Sequence, residues 1–525
     1  IEACIELLDA GLAVGVQDLG AAGLSCAASE TAAKAGVGMD VDIARVPQRE
    51  PGMNSVEVMT SESQERMLAI VLPENLDEVV ELCRRWEVRA NVVGRVTDSG
   101  RFRVFDGAFD TWGVPGSAAV VLPRALDSVA DSLADVPVES LGDGPVYRRT
   151  MMRPSGQDAL QEADPWVEIE PRLASNGDDL SSELLALLST PTIADKSWIW
   201  RQYDHQLFLN TVVGPGGDAT VLRLKGTQKA LALAVDGNAR YCLLDPRSGG
   251  MLAVAEAARN VACSGARPLA LVNCLNFGNP EHPEVMWQFA EATDGISEAC
   301  TALGIPVVGG NVSFYNESFG VDIHPTPVVG VVGIIDPFDG MAPPGVQFHQ
   351  GESVVMLGAT RSELGGSEWA AAVHGCGGGM PPAVDLMAAR RLHELVASLV
   401  AERIVGSVHD CSDGGLAVTL AEMAISGGVG VRVDLRNVSD AAGSGKTSPP
   451  PSVGLFSESA SRVVVGVDAA GLSEVLDKAD SSGVPAAVLG EAGGDRFVVD
   501  GAIDLSLDAV AGAWRFALRR ELHAE

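Results

Sequence analysis

The strongest constraint on what this chain can fold into is that it repeats itself. Residues 17–43 (QDLGAAGLSCAASETAAKAGVGMDVDI) align without a gap with residues 409–435 (HDCSDGGLAVTLAEMAISGGVGVRVDL), at an offset of 392. Identities fall at Asp18/Asp410, Gly23/Gly415, Leu24/Leu416, Glu30/Glu422 and the Gly-Val-Gly of 36–38 and 428–430. A second block, SESQERMLAIV at 61–71, matches SESASRVVVGV at 457–467 at offset 396, which places a four-residue insertion between the blocks. Two collinear blocks with shared charged residues mark a duplication rather than coincidence of composition. The copies are unequally preceded. About 218 residues of ordered-looking sequence, from 191 onward, lead into the second, against 16 before Gln17 in the first. Symmetry predicts roughly 200 further residues ahead of Ile1, a domain's worth. Ile1 itself already lies inside an amphipathic pattern with Cys4, Ile5 and Leu8, which fits a truncated start, with a processed terminus as the alternative.

The duplication divides the 525 residues into parts. Residues 1–123 are the later portion of the first copy. Residues 124–190, rich in Asp, Ser, Pro and Gly, read as a surface linker with one helix candidate at 181–189. In residues 191–343, strands at 219–224 and 231–235 precede a helix near 250–264, strand 268–273, helix 284–303 and strands 305–309 and 328–335. Residues 344–525 form a last unit of alternating helices and strands, with helices near 384–403 and 414–426. Such alternation is the mark of an α/β (α+β) protein.

Hydrophobic residues make up 46% of the chain, enough for several cores, yet no apolar run reaches membrane-spanning length. No basic, cleavable leader opens it. The nine cysteines are scattered without a C-x-x-C pair, which argues against disulfides or a zinc site and for a reducing cytoplasm. A net charge of −33 disfavours nucleic acid and anionic membranes as partners.

Four groups of residues carry possible chemistry. Asp18 and Asp410 each follow a strand-like segment and open a glycine-rich turn into a helix. A carboxylate there suits Mg2+ shared with phosphates, with an N-cap as the alternative. Ser61-Glu62-Ser63-Gln64 follows a turn and precedes a strand at Met67 to Leu72. The second copy keeps Ser457-Glu458-Ser459 but has Ala460 for Gln64, so a shared backbone need explains what is kept, and Gln64 is spare for a function of the first copy alone. Asn273-Cys-Leu-Asn-Phe-Gly-Asn-Pro280 and Gly309-Gly-Asn-Val-Ser-Phe-Tyr-Asn316 each follow an apolar strand and offer neutral oxygens and close backbone approach. Glu256 and Asn260, at i,i+4, share a helix face within reach of one metal, with an exposed helix pair as the alternative. Gly445-Lys446-Thr447 fails the P-loop frame, since Asp440 stands where its first glycine belongs. Gly375-Cys376-Gly377 reads as a plain glycine loop.

Together these residues resemble one family, the synthetase subunit of phosphoribosylformylglycinamidine synthase, of purine biosynthesis. The matching pieces are QDLGAAGLS (17–25), TSESQERML (60–68), QYDHQLFLNTVVGPGGDA (202–219), NFGNPEHPE (276–284), GGNVSFYNES (309–318), HDCSDGGLAVTLAEMA (409–424) and LFSESASR (455–462). The resemblance implies an internally duplicated AIR-synthetase-like pseudo-dimer whose first N-terminal domain is missing here. It implies a ligase that uses ATP to convert formylglycinamide ribonucleotide into its amidine through an iminophosphate attacked by ammonia. Roles carry over residue by residue: Asp18 and Asn311 as Mg2+ ligands, Glu62, Ser63, Gln64 and Ser313 as substrate contacts, Asn273 and Gly310 as ATP contacts. Asn273 stands where the family pattern has Asp. Glu256, Asn260, Asp410 and Ser412 match an auxiliary nucleotide and metal site of related fused enzymes. The family's catalytic histidine lies ahead of Gln17 and has no counterpart here; His205, in a related-looking place of the second copy, is not read as catalytic. With no glutaminase nucleophile in the chain, ammonia comes from a glutaminase partner, with a small bridging subunit. This chain alone is accordingly expected to be inactive. The competing readings are another ATP-using enzyme of the AIR-synthetase superfamily and a non-catalytic nucleotide-binding subunit.

Overall fold

A computed structural model describes residues 1–107, 132–142, 146–176, 179–438 and 450–522. They fall into two units, Ile1–Arg148 and Arg149–Glu525. In the first, strand Ala13–Asp18 runs antiparallel to Met67–Val71. A separate sheet has the order Gly94–Thr97, Gly38–Asp42, Arg101–Phe105, Ala134–Pro137. Helix Gly23–Ala35 lies in the core with this sheet because its inner face is small: Ala28 and Ala32 are fully buried beside Leu24, with Met39, Val41, Phe102 and Val104 in the same cluster. It ends at Gly36, whose φ of 64° closes the helix in the left-handed region; Gly428 does the same at 63° in the second copy.

The second unit holds two sheets of its own. The later one orders its strands Ser407–Cys411, Arg462–Val467, Ser353–Leu357, Ala486–Ala492, Val431–Val433, Arg496–Val499, Ile503–Ser506. Leaving out Ser353–Leu357 yields the two-strand and four-strand series of the first unit, in the same order. The duplication is therefore present in the topology as well as in the sequence. Arg462–Val467, paired with a strand on each side, is buried at every position and reads as a near-continuous valine run.

The earlier sheet of this unit has the order Val307–Ser313, Arg267–Asn276, Thr326–Ile335, Lys229–Asp236, Thr220–Leu224, Thr211–Val213. Its first two strands are parallel and its other pairs antiparallel. Helices Pro246–Cys263 and Pro283–Leu303 cover one face through an alanine-rich core.

Three readings need correction. The segment 124–190 is not simply a linker. Ala134–Pro137 pairs with Arg101–Phe105, and helices Gln157–Glu162, Pro165–Asn176 and Ser181–Leu188 follow. Ile169, Leu184, Leu187 and Leu188 are fully buried in the core of the last domain, and the Leu180 N–H donates to the Ala502 carbonyl at 2.8 Å. The tetrad Ser61-Glu62-Ser63-Gln64 is preceded by helix Ser55–Thr60 rather than by a turn. Strand 305–309 is observed as Val307–Ser313, running through both glycines. The triplet Gly445-Lys446-Thr447 lies outside the described residues. All nine cysteines are free, and among the described residues no helix is long and apolar enough to cross a membrane.

Candidate functional site

Asp18 closes strand Ala13–Asp18, is exposed, and accepts a hydrogen bond from the Gln17 amide at 3.2 Å. It is not an N-cap. The following helix starts behind Ala22, at φ 56°, with no side-chain cap from its own turn. The cap arrives from 40 residues away: Glu62 Oε1 accepts the Ala22 N–H at 3.1 Å. In the second copy Glu458 Oε1 accepts the equivalent Gly414 N–H at 2.7 Å. In each copy the serines flanking the glutamate touch through their hydroxyls at 3.1 Å. An arginine then pins the loop. Arg66 donates to the carbonyls of Ser61 and Ser63, the latter at 3.2 Å; Arg462 donates to those of Ser457 at 2.5 Å and Ser459 at 3.0 Å. The loop passes so near the helix start that a Cβ on Gly23 would lie 2.0 Å from the Ser61 carbonyl oxygen, and one on Gly415 2.5 Å from that of Ser457.

What the repeat keeps is thus a duplicated clamp. Glu62 and Ser63, expected as substrate contacts, both hold this loop together. Gln64 is exposed and reaches only the Glu62 carbonyl, at 3.4 Å. The second clamp is sealed: Ser457, Glu458, Ser459 and Arg462 are all buried, and the Tyr241 hydroxyl donates to Glu458.

In the other unit, the parallel register sets Asn273 against Gly310, Cys274 against Asn311 and Asn276 against Ser313. Four expected residues therefore share two neighbouring strands. A Cβ on Gly310 would lie 2.1 Å from Asn273 Oδ1, so the asparagine amide fills the space that glycine leaves. Asn311 is exposed on this edge strand. The Ser313 hydroxyl meets Asn316, whose amide also donates to the Phe277 and Ser313 carbonyls at 3.0 Å. Asp18 and Gln64 belong to the first unit and this strand pair to the second. His205 is exposed, edge-on to Trp200 at 5.2 Å, with Nδ1 3.3 Å from the Tyr203 carbonyl.

Glu256 and Asn260 are half-buried on helix Pro246–Cys263, not an exposed pair. Between them in sequence, buried Arg259 grips Asp410 through Nε and Nη2 and lies 3.5 Å from Glu256. Asp236 feels the charge of this guanidinium, while Asp413 faces Arg240 and accepts from the Asn238 amide at 3.3 Å. Burial, then Asp413 and Asp410, push the Asp236 carboxyl up to about 8. Burial, then Asp236, raise Glu256 well above the carboxylate range. Next to it, His409 bridges Asp218 at 2.6 Å and Glu422 at 3.0 Å. Burial alone would lower its pKa, but the two carboxylates raise it well above 6.5. Burial and mutual repulsion favour the protonated form of Asp236 and Glu256, and Asp410 is committed to Arg259, so the group is held as a buried charge network. Ser412, half-buried, sits in the turn beside Asp410. Asp218, Asp236, Arg259 and Asp413 were not singled out from sequence. Asp413 was within reach, since it lies in the HDCSDGG turn; Arg259 carried no pattern of its own.

A fold of this kind, in which one sheet topology occurs both before and after a different sheet along the chain, defines the class. The model "AIR synthase related protein, N-terminal domain" matches residues 216–335, and "AIR synthase related protein, C-terminal domain" matches twice, over 1–107 and 349–501. The chain belongs to the AIR synthase related family. Within it, the chain is similar to the phosphoribosylformylglycinamidine synthase subunit PurL of Moorella thermoacetica, 45% identical over 521 residues, 98% of this chain and 66% of that protein. It is likewise 45% identical to that of Thermomicrobium roseum, over 99% of this chain and 66% of the relative. The chain thus spans just under two thirds of the length of these curated relatives. Its fold matches that of Thermotoga maritima PurL complexed with ATP, with a TM-score of 0.61 and 24% identity, over 94% of this chain and 66% of that one. The same protein complexed with formylglycinamide ribonucleotide (FGAR) matches equally, covering 64% of that chain.

Proposed function

We propose that this chain is the greater part of an ATP-dependent, amidine-forming carbon–nitrogen ligase of purine biosynthesis, a phosphoribosylformylglycinamidine synthase working in the cytoplasm. The observation that carries the reading is the asymmetry of the two clamps. Both hold a helix start, but only the first is open and only the first presents a glutamine, Gln64, three residues ahead of the Met67 that pairs in the sheet with exposed Asp18. In this reading ATP transfers its γ-phosphoryl group to the amide oxygen of formylglycinamide ribonucleotide. Ammonia then adds to the activated carbon and phosphate leaves with that oxygen, giving the amidine, ADP and phosphate.

By the family resemblance, Asp18 and Asn311 are Mg2+ ligands, and each is an exposed oxygen donor on its own unit. Bound there, the ion would offset charge on the transferred group. Asn273 and Gly310 hold the nucleotide, with the amide of Asn273 able to donate and accept. Gln64 and Ser313 orient the ribonucleotide, and Glu62 and Ser63 set the position of Gln64. By the family resemblance, Glu256, Asn260, Asp410 and Ser412 form an auxiliary nucleotide and metal site, and Asp410 would exchange its Arg259 partner to serve it. Ammonia comes from a glutaminase subunit, joined through a small bridging subunit.

The test follows ADP release with ammonia as nitrogen donor. The full-length gene product is expected to release ADP only when formylglycinamide ribonucleotide is present. The 525-residue chain is expected to show no turnover alone, and amidine formation by it would overturn that part of the proposal.

A further inference from the structure

We infer that Arg66 is a positioning residue for the ribonucleotide: it fixes the loop that presents Gln64 and does not touch the ligand itself. The inference rests on the functional reading above. Its ground is the pairing of the two clamps. Arg66 bonds the carbonyls on both sides of Glu62, and Arg462 makes the same two bonds around Glu458. One planar guanidinium serves two carbonyls at once, which a lysine ammonium does less rigidly.

The loop needs holding. Glu65 lies at φ 61°, as does Ser461 in the second copy, a left-handed conformation that costs a non-glycine residue energy unless its surroundings over-determine it. In the second copy Arg462 is wholly buried and also receives support from Thr360, whose hydroxyl it meets at 3.1 Å. That clamp presents Ala460 and has only structure to maintain. In the first copy Arg66 is half-buried, Glu62 and Gln64 are exposed, and the same bonds determine where the Gln64 amide stands. Without the guanidinium, Glu65 relaxes, the Ala22 N–H loses its cap, and Gln64 samples positions away from the Asp18 turn.

The experiment uses the full-length gene product with ammonia, and the variants Arg66→Met, Arg66→Lys and Arg462→Met. Loss of positioning weakens a contact to one substrate only. Arg66→Met is therefore expected to raise the KM for formylglycinamide ribonucleotide about tenfold, leaving the KM for ATP and the kcat within about twofold. Arg66→Lys should recover part of the loss, and amide exchange at Ala22 should quicken in Arg66→Met. Arg462→Met should lower the melting temperature and move neither KM. An unchanged KM for the ribonucleotide in Arg66→Met, or equal rises for both substrates, overturns the inference. Wild-type protein that never requires the ribonucleotide for turnover overturns the functional reading as well, a result distinct from either.

Discussion

Glu62 and Glu458 occupy equivalent places and have opposite surroundings. Glu458 is 4% exposed and accepts the Gly414 and Glu368 N–H groups and the Tyr241 hydroxyl. Burial first, then the charge of Asp413, push its carboxyl up to about 8 from an ordinary 4.5. Between those values the folded protein holds a proton that the unfolded chain has released. Stability is then fully present below the unfolded pKa and declines as pH rises through the folded one. Calorimetry of the chain should show the melting temperature falling from about pH 4.5 to about pH 8. Glu458→Gln keeps the shape and cannot ionise, so the fall should flatten; an equally steep fall in that variant would sink the assignment. A second residue-level test concerns close approach. Gly310→Ala forces a methyl group against Asn273 Oδ1, at a cost of about 1–3 kcal/mol for the local overpacking. On an exposed edge strand it should weaken ATP binding, read by calorimetric titration, while leaving the fold intact. At this scale the repeat made Gln64 legible, because one copy keeps the glutamine and the other does not. It did not reveal that Glu62 caps a helix 40 residues away, since a long-range backbone bond leaves no local pattern.

Helices and strands were legible wherever periodicity or a valine run was uninterrupted. Expected helix 284–303 is observed as Pro283–Leu303, and expected strand 328–335 as Thr326–Ile335. Punctuation misled twice. The expected strand 305–309 stops at Gly309, yet the observed one runs on through Gly310 to Ser313, with the amide of Asn273 taking the room that the missing side chain of Gly310 leaves. The Asp, Ser and Pro residues of 124–190 read as a linker, yet SSELLALL at 181–188 turns Leu184, Leu187 and Leu188 into the core beside Phe456 and Leu416. Leu184→Ala should therefore destabilise the chain by about 2–5 kcal/mol, as loss of a fully buried leucine does. Denaturant unfolding checks this, and a cost below about 1 kcal/mol would return the segment to the surface, where substitutions are nearly neutral.

For the molecule as a whole, duplication was readable but strand order was not, because pairing between distant segments depends on register rather than on local composition. One sheet, however, is apolar on its outward face as well as on its buried one. An antiparallel sheet with one side in water alternates apolar and polar residues. Strand Lys229–Asp236 instead alternates inward alanines with outward Leu231, Leu233 and Val235. Its neighbours set Val332 beside Leu233, Ile334 beside Leu231 and Val272 across Gly330 from Val235, all on the outward side. Val235 is 74% exposed and Val272 47%. In a chain with a net charge of −33, this side carries none among the residues named. A continuous apolar face of that kind binds apolar probes from solution. The 525-residue chain should thus enhance the fluorescence of anilinonaphthalene sulfonate while fully folded. Replacing Leu233 and Val235 together by lysine should reduce the enhancement by about half without lowering the melting temperature, since neither side chain enters the alanine core. An undiminished signal in that variant would place the responsive surface elsewhere, and a melting temperature that collapsed would mean these side chains are packed within the unit after all.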